Sequence, residues 1–148
     1  MTAEIRLLKA NEGAVLDRLA PGVFDHAIDP RWSAEFFADP RHHLAVALEG
    51  TLVVGFASAV HYVHPDKRPE LWINEVGVAP SHQGQGLGRG LLEALFRQGA
   101  THGCVQAWVL TSPTNAAAQR LYTAAGGRVE AEPSLLYEFS LDAPAHRR

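Results

Sequence analysis

The sequence predicts a mixed α/β fold, a mostly antiparallel central sheet flanked by helices, built as one domain over residues 1–148. Three observations lead there. A glycine-bearing turn, Glu49-Gly50-Thr51, separates two β-rich runs, "HLAVAL" and "LVVGFASAVHYV", and marks an antiparallel hairpin. Between the valine-rich "INEVGV" and the apolar run 105–110, leucines recur every three or four residues, which places a helix between two strands. Two further runs, 128–132 and 135–141, read as a closing hairpin around Pro133-Ser134. Hairpins at both ends of a single strand–helix–strand unit exclude a doubly wound parallel sheet. No repeat or linker divides the chain, and 148 residues bury one sizeable core.

The elements follow in order. Residues 5–8 form a short strand, and "NEGAVLDRLA" a helix capped by Asn11 and stopped by Pro21-Gly22. Asp29-Pro30 opens a second helix whose Trp32, Phe36 and Phe37 share one face and pack into the core, and Asp39-Pro40 closes it. After the hairpin, "HPDKRP" is a charged loop and residues 70–78 a third long strand. Leu87, Leu91, Leu92, Leu95 and Phe96 mark one face of a helix that fades between Gly99 and Gly103. Residues 105–110 read as a buried strand, "TSPT" as a loop, and 115–125 as a helix ended by Gly126-Gly127.

Composition excludes several classes. The formal net charge is −3, and the one basic cluster is His146, Arg147 and Arg148, so no nucleic acid is expected as a partner. Acidic residues recur at Asp25, Asp29, Glu35, Asp39, Asp66, Glu70 and Glu75, a mild bias towards a cationic partner. Cys104 is the lone cysteine and is expected to be an inert core thiol. No run approaches the ~18 apolar residues of a membrane span, and "MTAEIRLLKA" lacks the order of a signal peptide. A cytoplasmic protein without membrane attachment is the expectation.

The glycine-rich stretch "SHQGQGLGRG" asks for a ligand. A Walker loop would end in Gly-Lys-Ser/Thr, but Gly88 is followed by Arg89-Gly90. A dinucleotide fingerprint from Gly84 would need glycine at 89, and from Gly86 at 91, where Arg89 and Leu91 stand. What remains is Gln83-x-x-Gly86-x-Gly88 between a strand and a helix. First-turn N–H groups there lack intrahelical partners and carry the positive end of the helix dipole, so bare glycines would let a pyrophosphate reach them. One tight turn does not need four glycines, and Arg89 would add charge at the rim.

This stretch resembles motif A of the GNAT superfamily of acetyl-CoA-dependent N-acetyltransferases. "NAAAQRLYTAAGG" is similar to the same family's motif B, with Asn115, Ala118 and Tyr122 on one helical face. The resemblance covers residues 43–130. It implies splayed strands forming an acetyl-CoA cleft, with the backbone of Val76, Gly77 and Val78 pairing with the pantetheine arm. Gly77 would also suit a bulge or a close backbone approach. The resemblance further implies that the N–H groups of Gln83, Gly84, Gln85, Gly86, Leu87, Gly88 and Arg89 hold the pyrophosphate. Asn115 would hydrogen-bond the cofactor arm on the face it shares with Ala118, and Tyr122 would protonate the departing thiolate. An alkylammonium has a pKa of about 10 and must lose a proton before it attacks a thioester. Glu75, beside the cofactor-pairing segment, is the expected general base, and the N–H of Val76 the expected oxyanion donor.

"PELWINEVGV" is similar to the strand of GNAT-type aminoglycoside 3-N-acetyltransferases, with Glu75 where those enzymes carry aspartate. The expected substrate is accordingly an aminoglycoside acetylated at the 3-amino group, an antibiotic-resistance activity. Asp25 and Glu75 are the first candidates to bind it, with Asp29, Glu35, Asp66 and the acidic C-terminal Glu130, Glu132 and Glu138 as further carboxylates. Another amine (a polyamine, an amino acid, a protein N-terminus or lysine) and a non-catalytic acetyl-CoA sensor stay open. His61 and His64 have a spacing that suits a metal pair, but no third ligand accompanies them, and loop or surface roles are expected. His82 is expected to flank the cofactor. The chemistry needs no metal. A homodimer is possible by analogy.

Overall fold

The computed structural model of the chain describes residues 2–142, so the basic cluster at His146, Arg147 and Arg148 lies outside the described residues. Five strands form one sheet in sequence order: β1 Glu4–Leu7, β2 His42–Glu49, β3 Leu52–Tyr62, β4 Glu70–Val78 and β5 Ala107–Trp108. The first four are antiparallel neighbours and β5 lies parallel to β4. Three α-helices accompany them: α1 Pro30–Ala38, α2 Leu87–Thr101 and α3 Ala116–Ala124. The mixed α/β class and mostly antiparallel sheet are as the sequence predicts.

The β2–β3 hairpin is the centre of the core. Its turn places Glu49 opposite Leu52, with Gly50 at φ +62°, a left-handed conformation that suits glycine. The two strands are apolar on both faces because both faces are covered. On one side lies α2, whose Leu91, Leu92 and Leu95 are fully buried. Each such leucine contributes about 1.5–3 kcal/mol. The helix comes in close because the strands beneath it are small: a Cβ on Gly55 would stand 3.3 Å from the Leu91 side chain. On the other side lie α1 and the segment before it. Asp29 caps α1 by accepting from the N–H groups of Arg31 and Trp32 at 2.8 and 3.4 Å, and Asp39 ends it. There Phe24 stacks on Phe56 with ring centroids 3.8 Å apart.

Four expectations are corrected. The first helix is a single 3-10 turn, Gly13–Asp17, and Asn11 is not its cap. Residues 18–20 cannot continue a helix because they run alongside β3, with Ala20 donating to the Val53 carbonyl and Val53 to that of Arg18, at 2.8 and 2.9 Å. Trp32 is 58% exposed instead of core, with the Arg31 guanidinium 4.1 Å above its ring. The strand expected over 105–110 pairs only at Ala107 and Trp108, and Val105 is 67% exposed. The closing strands over 128–132 and 135–141 do not form, and Val129, Leu135, Tyr137 and Phe139 are exposed. Alternating apolar residues specify a face, but a strand also needs an edge to pair with, and the short β5 offers almost none.

Candidate active site

β4 pairs with β3 along its whole length but with β5 only at Leu71 and Trp72. From Ile73 to Val78 its outer edge therefore faces no strand among the described residues, and the sheet is split there. A bulge lies at the mouth of the split. Ser58 pairs with Glu75 but Ala59 with Ile73, so Asn74 is an extra residue in β4. Ile73 points with Leu71 into the core under α2, where both are buried. Without Asn74, Glu75 would follow them, since side chains two apart share a face. With it, Glu75 emerges on the α1 side.

There Glu75 lines a cleft of about 500 Å³ together with Asp25, His26, Asp29, Trp32, Phe36 and Phe56. Three of the expected carboxylates thus meet in one place. Glu35, Asp66, Glu130, Glu132 and Glu138 are not among its lining residues. The Glu75 carboxylate has no hydrogen-bond or ion-pair partner among the described residues. Trp32, read from sequence as core, is a wall of this cleft. The bulge left no mark in the sequence, because nothing in "LWINEVGV" distinguishes Asn74 as surplus.

The four glycines of the loop divide into two pairs. Gly84 and Gly86 stand at φ +77° and +79°, and a Cβ on either would meet nothing within 4 Å. They shape an open approach to the N-terminus of α2. Gly88 and Gly90 serve packing instead: their Cβ atoms would meet Leu121 of α3 at 3.0 Å and Ile5 of β1 at 3.3 Å. The density of glycine is thus only half a ligand signal. Gln83 closes the loop by donating from Nε2 to the Val78 carbonyl at 3.1 Å. His82 bridges Ser81 Oγ and Glu49 Oε2 at 2.7 and 2.8 Å, fixing the 3-10 turn Pro80–His82. Arg89 pairs with Glu93 one turn along α2, at 3.0 Å.

Gly77 is a close-approach glycine and not the bulge: a Cβ there would lie 2.5 Å from the Val23 carbonyl oxygen and 2.8 Å from the Phe56 ring. Asn115 caps α3, its Oδ1 accepting from Ala118 N at 3.0 Å, so only its amide N–H groups remain for a ligand. Tyr122 is half-buried, its hydroxyl has no hydrogen-bond partner among the described residues, and burial pushes its pKa up. Gly127 N donates to the Tyr122 carbonyl at 2.8 Å and Gly126 stands at φ +95°, so this pair ends α3 as expected. Burial likewise raises the Cys104 thiol, in keeping with an inert one. His61 and His64 part: His64 faces Glu70 at 3.6 Å, while His61 turns to the opposite side of the sheet.

An open strand edge beside an open, glycine-lined helix N-terminus defines a domain that can seat an extended ligand ending in a pyrophosphate. The comparisons carry this to a family. The model of the Acetyltransferase (GNAT) family matches residues 14–126, and the chain belongs to that family. Among curated relatives, an L-2,4-diaminobutyric acid acetyltransferase of Marinococcus halophilus is 31% identical over 108 residues, 73% of this chain and 60% of its own length. A mycothiol acetyltransferase of Saccharopolyspora erythraea is 34% identical over 90 residues, 60% of this chain and 28% of its own. The chain thus spans less than two thirds of these relatives. In fold it is similar to an aminoglycoside acetyltransferase from an uncultured soil metagenomic sample, with TM-score 0.78, 22% identity, and 96% and 100% of the two chains covered. AAC(6')-Iy in complex with a bisubstrate analogue of CoA gives TM-score 0.77 at 23% identity, covering 95% and 100%.

Proposed function

We propose that this protein transfers the acetyl group of acetyl-CoA to a primary amine of a small cationic substrate. The observation that supports it best is the bulge at Asn74, which turns Glu75 out of the core and into a carboxylate-lined cleft at the split of the sheet. Acetyl-CoA supplies a thioester whose carbonyl accepts a nucleophile. The N–H groups from Gln83 to Arg89 receive its pyrophosphate, and the open edge of β4 at Val76, Gly77 and Val78 pairs with its arm. Asn115 adds an amide N–H on the face it shares with Ala118. Asp25 and Asp29 attract the ammonium, and Glu75 removes its proton, directly or through water. The N–H of Val76 donates to the carbonyl oxygen as negative charge gathers on it. Tyr122, a phenol that is protonated at neutral pH and whose pKa burial raises further, gives its proton to the leaving thiolate.

Aminoglycoside acetylation at the 3-amino group is the first specific reading, supported by three carboxylates and the aromatic side chains of Trp32, Phe36 and Phe56 at one cleft. The curated relatives favour a second, a short diamino acid. A thiol-release assay with acetyl-CoA against aminoglycosides, 2,4-diaminobutyrate, spermidine and a lysine peptide separates them. Turnover confined to aminoglycosides, with one ring amine acetylated, supports the first, and turnover of diaminobutyrate the second. Tight acetyl-CoA binding with no turnover of any amine would replace both by a sensor.

We also propose a homodimer, in which residues 128–140 of each copy find in the other the edge that β5 does not supply. The exposed Val129, Leu136, Tyr137 and Phe139 support this, as does the apolar groove lined by Leu71, Phe96, Cys104 and Val105. No described helix is long and apolar enough to cross a membrane. The lone cysteine suits a reducing compartment such as the cytoplasm.

A further inference from the structure

The sheet has a second cluster, on the face away from the proposed amine cleft. His43 of β2 and His61 of β3 are diagonal neighbours on adjacent strands, His43 lying opposite Ala59, two residues from His61, and both point to the α2 side. Their Nε2 and Nδ1 atoms are 2.7 Å apart. His102, the residue that ends α2, stacks on His61 with ring centroids 4.5 Å apart and lies 5.1 Å from His43. One ring nitrogen from each of the three falls within 4.8 Å of the others. Sequence could not show this: the three residues are 18 and 41 positions apart, and the visible pair, His61 and His64, is not the real one.

We infer that His43, His61 and His102 form a binding site for a divalent transition-metal ion of the zinc type, with water in the fourth position. Tetrahedral Zn–N bonds of about 2.0–2.1 Å set ligand nitrogens about 3.4 Å apart, so the stacked rings must rotate until their nitrogens converge on one point. The contact between His43 and His61 is a hydrogen bond whose proton the ion would displace.

The surroundings are built for it. Gln98, one turn before His102, sets its amide nitrogen 3.5 Å from His43 Nδ1 and 3.2 Å from His102 Nε2. With the amide flipped, its oxygen can accept the N–H of a ligating ring and hold the tautomer. His61 is fixed through its backbone, its N–H donating to the Arg41 carbonyl at 2.9 Å. The carbonyl end of the α2 dipole favours a cation. Arg41, whose positive charge acts on His61, is paired with Asp39 at 3.2 Å. His43 is 5% exposed, while His102 faces solvent and gives the ion its way in. The bound ion would clip the C-terminal end of α2 to β2 and β3, at the far end of the helix from the phosphate loop.

The test is titration of the chelator-treated full chain with Zn²⁺ by calorimetry, with Co²⁺ as a spectroscopic probe. One equivalent is expected to bind per chain with a dissociation constant in the micromolar range or below. Co²⁺ should give the visible absorption of a tetrahedral site, and the melting temperature should rise by several degrees. His102→Ala removes an exposed ring, so its folding is not at stake. It should weaken binding at least tenfold and abolish the absorption, with acetyl-CoA affinity unchanged within twofold. His64→Ala should bind as the parent does. Equal uptake by parent and His102→Ala, binding lost equally in His64→Ala, or no saturable uptake by the parent would each overturn the site.

Discussion

On β4 one residue, Asn74, has no counterpart across the pair, and its insertion moves the next side chain to the other face of the sheet. Glu75 reaches the carboxylate-lined cleft for that reason. As the proposed general base it should be needed for the chemical step and not for the cofactor: Glu75→Gln is expected to lower kcat by roughly 100-fold or more. The acetyl-CoA dissociation constant, followed by calorimetry, should stay within twofold, and unchanged turnover would remove Glu75 from the mechanism. Two positions further, Gly77 answers to packing. Its missing Cβ is occupied by the Val23 carbonyl and the Phe56 ring, so Gly77→Ala must push backbone aside. A loss of about 1–3 kcal/mol in urea unfolding is expected. No loss would mean that the segment carrying Val23 is free to yield.

The helices are held at their ends by single side chains, and two of those have consequences beyond the helix. Asn115 has one half committed, since its oxygen caps α3, and its amide N–H groups are the half proposed for the cofactor arm. Asn115→Ser keeps a capping oxygen and removes the amide donor, so stability should be retained while acetyl-CoA affinity falls. Asn115→Ala should lose both, with about 1 kcal/mol of stability. If the serine variant binds acetyl-CoA as tightly as the parent, the residue is a cap and nothing more. At the end of α1, Asp39 accepts side-chain and backbone hydrogen bonds from Arg41, and these hold its pKa down to about 2. The unfolded chain binds that proton at higher pH, near the ordinary value of 3.8, so the contact stabilises the fold above that value. The contribution fades as pH falls through about 2. Asp39→Asn should melt below the parent at pH 6, with the gap closing by pH 2. A gap that persists there would show that the carboxylate's charge is not what matters.

Across the whole molecule, the sheet is closed and covered from β1 to β4 and open beyond. That openness also leaves the apolar residues 128–140 with no partner strand among the described residues. Light scattering at micromolar concentration should report a dimer, and a chain ending at Gly127 should be a monomer that still melts cooperatively. A monomeric parent would leave residues 128–140 to some other contact.

Local pattern determined the sheet's core, the α2 face and the opening of α1 at Asp29-Pro30, because each depends on neighbours within a few positions, whereas it placed a cap at Asn11 that does not form and none at Asn115. The two motifs, being local as well, were enough to name the family and the loop. Spacing could not decide which glycines serve backbone and which serve packing, since Gly88 and Gly90 are explained by Leu121 and Ile5, distant in sequence. Nor could it show that Trp32 lines a cleft, that apolar runs at the C-terminus lack an edge, or that His61 belongs with His43 and His102 and not with His64. The bulge at Asn74 is of the same kind: a register shift exists only between two strands. These were settled by tertiary structure alone, because a pairing partner, a cavity wall and a ligand set are relations between segments, and one segment's pattern carries no record of the other.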